Sequence, residues 1–163
     1  MGEADLMNPE PLGESVTGPA AEPPGMAVAL DADGGCIAEA RRLAVSFLAG
    51  VRTEQGLAVT ERVIGLAQLV VSELVTNAYK YAPGPVLMKL RLVEGAVEIE
   101  VWDSGPALPA PRAADPERVG QHGLEIVKAV AEKLVVRQEA VGKAVTAVIP
   151  LHGNGISGDS ARP

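Results

Sequence analysis

The run from Val59 to Tyr81 limits this chain more than any other stretch. At about 100° per residue, Val63, Ala67, Val70, Val71, Leu74, Val75, Ala78 and Tyr81 fall within one broad arc, and Glu61, Gln68, Ser72, Thr76 and Tyr79 fall opposite. That pattern predicts a helix with a wide face to bury. Pro83-Gly84-Pro85 stops it, because proline cannot continue the amide ladder. Two β-rich runs follow at once, Val86–Val93 and Ala96–Trp102, joined through Glu94-Gly95, the strongest hairpin signal in the chain.

The other elements follow from the same reasoning. Met26–Leu30 is a short apolar strand ending at an Asp/Gly-rich turn. Ile37–Ala49 sets Ala40, Leu43, Ala44, Phe47 and Leu48 on one side, a helical period, with Gly50 and Gly56 marking its end and the connection. Residues 103–121, with prolines at 106, 109, 111 and 116, form a long loop. Leu124–Glu132 is a third helix, and Leu134–Gln138 with Ala144–Leu151 form a second hairpin turning near Val141-Gly142. Strands that come in pairs with few crossovers imply an α/β two-layer sandwich, a mixed, mostly antiparallel sheet carrying three helices on one face.

Composition sets the boundaries and removes several functions. Residues 1–25 hold five prolines, five acids (Glu3, Asp5, Glu10, Glu14, Glu22) and no base, so they carry −5 of the formal charge of −7. Such a segment has too little apolar surface to offset the chain entropy lost on folding, and is expected to be a disordered acidic tail. Residues 152–163 form a second loose tail, leaving 26–151 as the folded domain. Aromatics are 2% of the chain, too few for base-stacking platforms, and the net negative charge disfavours binding a phosphate backbone, so no direct nucleic-acid partner is expected. The single cysteine, Cys36, excludes an intrachain disulfide, and two histidines, His122 and His152, exclude a histidine-rich metal centre. No apolar run approaches the ~20 residues of a membrane span and no signal peptide is seen, which points to a cytoplasmic protein with no membrane partner.

Three sets of residues carry chemistry. On the long helix, Glu73, Asn77 and Lys80 belong to neither arc but cluster within about 60° of one another, at the edge of the buried face. An amide oxygen there can coordinate Mg²⁺ bridging phosphate oxygens, an ammonium can neutralise phosphate charge, and a carboxylate can act as a base. The same three residues also suit the solvent boundary of an ordinary amphipathic helix. The strand Val97–Trp102 ends in Asp103-Ser-Gly105, where a carboxylate either accepts from an exocyclic amine such as that of adenine or forms a routine Asp–Gly turn. Gly120-Gln-His-Gly123 opens the third helix, and free amides at a helix start bind anions.

Glu73-x-x-x-Asn77-Ala-x-Lys80-Tyr81, Asp103-x-Gly105 and Gly120-x-x-Gly123-Leu124, in this order, resemble the N box and two glycine boxes of the GHKL (Bergerat-fold) ATP-binding superfamily. The short length and the phrase Val70-Val-Ser-Glu-Leu-Val-Thr-Asn-Ala78 are most similar to stand-alone anti-sigma-factor serine/threonine kinases, over about residues 30–150. The resemblance implies a histidine-kinase-like ATPase fold that binds ATP and Mg²⁺. It makes Glu73 the general base and Asn77 the metal ligand, with Lys80 on the phosphates, Asp103 and Gly105 at adenine, and Gly120, Gly123 and Leu124 around the lid. It also implies a sigma factor or an anti-sigma-factor antagonist as partner, and a homodimer. Three positions depart from the pattern: Ala107 and Gln121 stand where relatives carry glycine, and Ala144 where they often carry threonine, with Thr146 two residues on as the candidate for that nucleotide contact. The alternative on the same fold is a non-catalytic interaction regulator, gated by nucleotide or free of it.

Overall fold

The computed structural model describes residues 23–31, 35–81, 84–105 and 121–152, with only the backbone described for Tyr81, Gln121 and His122. The order is β1 (Gly25–Leu30), α1 (Cys36–Gln55), α2 (Glu61–Tyr81), β2 (Val86–Val93), β3 (Ala96–Asp103), α3 (Gln121–Val130), β4 (Lys133–Gln138) and β5 (Lys143–Pro150). The sheet runs β1-β2-β3-β5-β4, and every described pair is antiparallel, so the expectation of a mixed sheet narrows to an antiparallel one. Of the loop expected at 103–121, residues 106–120 lie outside the described residues, as do both tails beyond 23 and 152, while Asp103 ends β3 and Gln121 opens α3.

The helices cover one face. The predicted apolar arc of α2 is buried from Val63 through Ala78, and α2 packs over β2, β3 and β5 with α1 and α3 on either side of it. Strand alternation supplies the other half of the core: Met88, Leu90 and Leu92 of β2, Val97, Ile99 and Val101 of β3, and Val145, Ala147 and Ile149 of β5 all point inward. The opposite face is polar and ion-paired, with Arg91–Glu98 at 2.7 Å and Lys89–Glu100 and Arg137–Glu100 at 3.8 Å.

Several boundaries differ from the sequence reading, each for a local reason. The first helix does not stop at Gly50 but continues to Gln55, ending at Gly56 in the left-handed conformation (φ 63°). One interior glycine costs about 1 kcal/mol relative to alanine, which burial of Leu48 and Val51 on either side offsets. The second helix starts at Glu61 rather than Val59, because the Thr60 hydroxyl accepts the amide of Val63 at 3.2 Å, an N-cap. The third runs from Gln121 to Val130 instead of Leu124 to Glu132, since the amide of Glu132 already donates to Val148 of β5. The ladder of β1 starts at Gly25, and the Pro24 carbonyl accepts from Leu92 at 2.9 Å, so the folded part begins before Met26.

Candidate functional site

The seam on α2 grades along the helix. Glu73 is half-buried, Asn77 is only 5% exposed, and Lys80, in the last turn, is exposed. Leu69, one turn before Glu73, is 36% exposed, so the seam runs along the margin of the packed face. Among the described residues, nothing hydrogen-bonds the Asn77 amide, although its neighbours are committed elsewhere. Ser72 donates to the Gln68 carbonyl at 2.8 Å, and the Tyr79 hydroxyl lies within donating distance of the carbonyls of Leu30 (2.9 Å) and Asp31 (2.8 Å). The Tyr79 contacts fasten the C-terminal half of α2 to the end of β1 and so fix the axial position of Asn77.

Glu73 meets the start of α3. A Cβ added at Gly123 would lie 2.5 Å from Glu73 Oε2 and 3.5 Å from its carboxyl carbon, so only glycine lets this carboxylate approach the first turn of α3. The leading amides of a helix have no partners within it and carry partial positive charge, a favourable setting for a carboxylate or a phosphate. The two motifs, far apart in sequence, are in contact here. Leu124 is half-buried against the apolar core rather than on this seam, and Gly120 lies outside the described residues.

Asp103 is the last residue of β3 and shares the inward side with Val97, Ile99 and Val101. It is 1% exposed, and the amide of Gly105 donates to its Oδ1 at 2.9 Å, closing an Asx turn at the strand end. Its cross-strand partner on β5 is Lys143, which is 0% exposed and places Nζ 3.4 Å from Oδ1 and 3.3 Å from Oδ2. The β4–β5 turn is folded onto this spot. Trp102 Nε1 donates to the Val141 carbonyl at 3.2 Å, and Gly142 has φ 80°, with the Asp103 carbonyl oxygen where a Cβ would stand. The sequence reading passed over Lys143. Its signal was parity, since position 143 falls on the same strand side as Val145, Ala147 and Ile149.

Thr146 is not brought to the others. It sits on the outer face of β5, where its hydroxyl donates to Glu100 Oε2 at 3.4 Å. A depression of about 750 Å³ also lies on that outer face, between Met26, Lys89, Arg91, Glu98 and Arg137. No α2 residue lines it, and its charges already pair with one another. Glu73, Asn77, Asp103, Gly105 and Gly123 instead share the helix-covered side. Among the described residues, no group of three or more His, Cys, Asp or Glu side chains could hold a metal, and no helix is long and apolar enough to cross a membrane.

The family match agrees with this architecture. The model of the histidine kinase-like ATPase domain matches residues 32–149, and the chain belongs to that family. Membership implies an ATP-binding domain. No curated protein matches the chain. Among solved structures it is similar to the histidine kinase domain of the blue-light activated histidine kinase of Erythrobacter litoralis EL346 (21% identity, TM-score 0.45), covering 69% of this chain and 61% of that one. It is also similar to the Acinetobacter baumannii histidine kinase AdeS (15% identity, TM-score 0.44), covering 78% and 68%.

Proposed function

We propose that this chain is a cytoplasmic serine/threonine kinase of the anti-sigma type, transferring the γ-phosphate of ATP to a serine on an anti-sigma-factor antagonist and thereby regulating transcription. The observation that carries this reading is the contact between Glu73 and Gly123, a carboxylate held at the start of a helix one turn from Asn77. Glu73 orients or deprotonates the acceptor hydroxyl. Lys80, exposed at the end of the seam, reaches the phosphates, and the amides that open α3 receive them. Asp103, braced by the Gly105 amide, accepts from the adenine amine.

Mg²⁺ suits the donor set. With no carboxylate cluster among the described residues, a resident all-protein metal cage has no support, whereas Mg²⁺ is commonly bound by one protein oxygen plus phosphates and waters. Asn77 is the residue that would hold it, since it is only 5% exposed and its amide makes no hydrogen bond among the described residues. When bound, the ion neutralises charge on the transferring phosphate.

A second reading, a non-catalytic interaction module on the same fold, is favoured by the ion pair that already engages Asp103. Phosphate incorporation from labelled ATP into candidate antagonist proteins, beside ATP titration, separates the two. On the kinase reading, Asn77→Ala loses Mg²⁺-dependent affinity, whereas Glu73→Ala still binds ATP and transfers about 10²–10⁴-fold more slowly. Wild-type protein that binds ATP but labels no antagonist assigns the chain to the module reading. Transfer by Glu73→Ala at the wild-type rate removes this carboxylate from the mechanism.

A further inference from the structure

The buried cation beside Asp103 has no part in the phosphoryl-transfer scheme. Lys143 enters the inner face of β5 at a position otherwise held by Val145, Ala147 and Ile149, and reaches the carboxylate of its cross-strand partner. Both Asp103 oxygens lie within 3.4 Å of its Nζ, and one also accepts the Gly105 amide. Neither side chain exposes more than 1% of its surface. A carboxylate so enclosed cannot receive the amine of a base until the ammonium withdraws. The ammonium brings a full opposite charge to these oxygens as well as a donor, so a neutral adenine amine is the weaker suitor for them.

The turn that delivers Lys143 is itself fixed. Gly142, at φ 80°, leans on the Asp103 carbonyl, and Trp102 Nε1 binds the Val141 carbonyl at 3.2 Å, so the lysine backbone is anchored on both strands that carry the pair. Withdrawal must then come from the flexible side chain, whose rotamers can change without dismantling the hairpin.

We propose that Lys143 is an intramolecular competitor for the nucleotide base: its ammonium holds the Asp103 carboxylate, and adenine is read there only when that ion pair opens. Lys143 therefore sets the affinity of the domain for ATP without touching the reacting atoms. This rests on the reading of Asp103 as the adenine acceptor. It also gives the chain a threshold, since ATP binds in proportion to the fraction of molecules in which the pair is open.

The test is calorimetric titration of the full-length chain with Mg·ATP and Mg·GTP, comparing wild type with Lys143→Met, Lys143→Gln and Lys143→Arg. Lys143→Met keeps the length and apolar stem but removes the charge, and is expected to bind ATP at least tenfold more tightly while GTP affinity stays the same. Lys143→Arg keeps the charge and is expected to show no gain. Removing one partner of a buried pair strands the other charge, so circular dichroism must first confirm the fold. Should Lys143→Met fail to fold, Lys143→Gln decides, because its amide still donates to Asp103 and its neutral bond yields to adenine. ATP affinity unchanged or lower in the neutral variant overturns the competitor role and leaves the nucleotide reading standing. Equal gains for ATP and GTP also overturn it, because the lysine would then merely be tightening the site. No ATP binding by wild type or neutral variant overturns the nucleotide reading and this proposal together.

Discussion

Gly123→Ala separates what this glycine does for the fold from what it does for the site. The added methyl would stand 2.5 Å from Glu73 Oε2, well inside contact distance, but the atom it meets is the far end of a flexible, half-buried side chain rather than backbone. Glu73 therefore swings aside. Leaving its preferred rotamer or the start of α3 costs about 0.5–1.5 kcal/mol, while alanine in place of glycine in a helix returns up to about 1 kcal/mol. The two terms nearly cancel, and Gly123→Ala is expected to change stability by no more than about 1 kcal/mol in urea denaturation. In a Glu73→Ala background the clash is gone and only the propensity gain remains, so the same substitution should stabilise there, with a coupling of roughly 0.5–1.5 kcal/mol across the cycle. Phosphate transfer should nonetheless fall in the single variant, because the carboxylate has left its position. A loss above about 2 kcal/mol that persists in the Glu73→Ala background would refute the reasoning: the methyl would then be striking backbone, and the contact between the two motifs would not be what requires glycine.

Other predictions concern the supports of the site. Gly142→Ala forces a β-carbon into the left-handed region and against the Asp103 carbonyl, and should cost about 2–4 kcal/mol, read as a lower denaturation midpoint with unchanged slope. Tyr79→Phe removes the hydroxyl shared by the Leu30 and Asp31 carbonyls and should cost about 1–2 kcal/mol by thermal or urea unfolding. A chain starting at Pro23 should keep the melting temperature of the full chain within a few degrees, whereas one starting at Val28 loses the Pro24 bond and half the β1 ladder and should melt measurably lower.

The parts of the fold legible in sequence are those where one period and one punctuation mark agree. The long helix and the Glu94-Gly95 hairpin are of this kind: the first has a continuous apolar arc ended by proline, the second a glycine at φ 70° between two alternating runs. Gly50 misled because its cost is local while the burial that overrides it comes from partners distant in sequence. The start of α3 lies earlier than the periodicity predicts for a related reason. Gly123 marks a place where a side chain from α2 approaches, and nothing near residue 123 announces that side chain. The Glu73–Asn77–Lys80 seam was legible as a line on a helix; that Asn77 would be buried and Lys80 exposed was not, because that gradient is set by where the helix crosses the sheet.

Strand parity explains both the candidate that did not join the site and the residue that was missed. Thr146 is the sequence candidate because it lies two residues beyond Ala144, where relatives often carry threonine. A two-residue step along a strand keeps the same face. Ala144 pairs with Trp102 and Thr146 with Glu100, and both of those β3 residues belong to the outer side, so no even offset from 144 could have delivered a hydroxyl to the helix-covered face. The odd positions are the ones that face inward, and the first of them is 143. A lysine there stands opposite Asp103 in the ladder, with apolar residues further along the inward side of its own strand. Buried without a counter-charge it would be strongly destabilising. The register that makes Asp103 an inward carboxylate is thus the same register that gives Lys143 its partner, and neither residue can be assigned a role without the other.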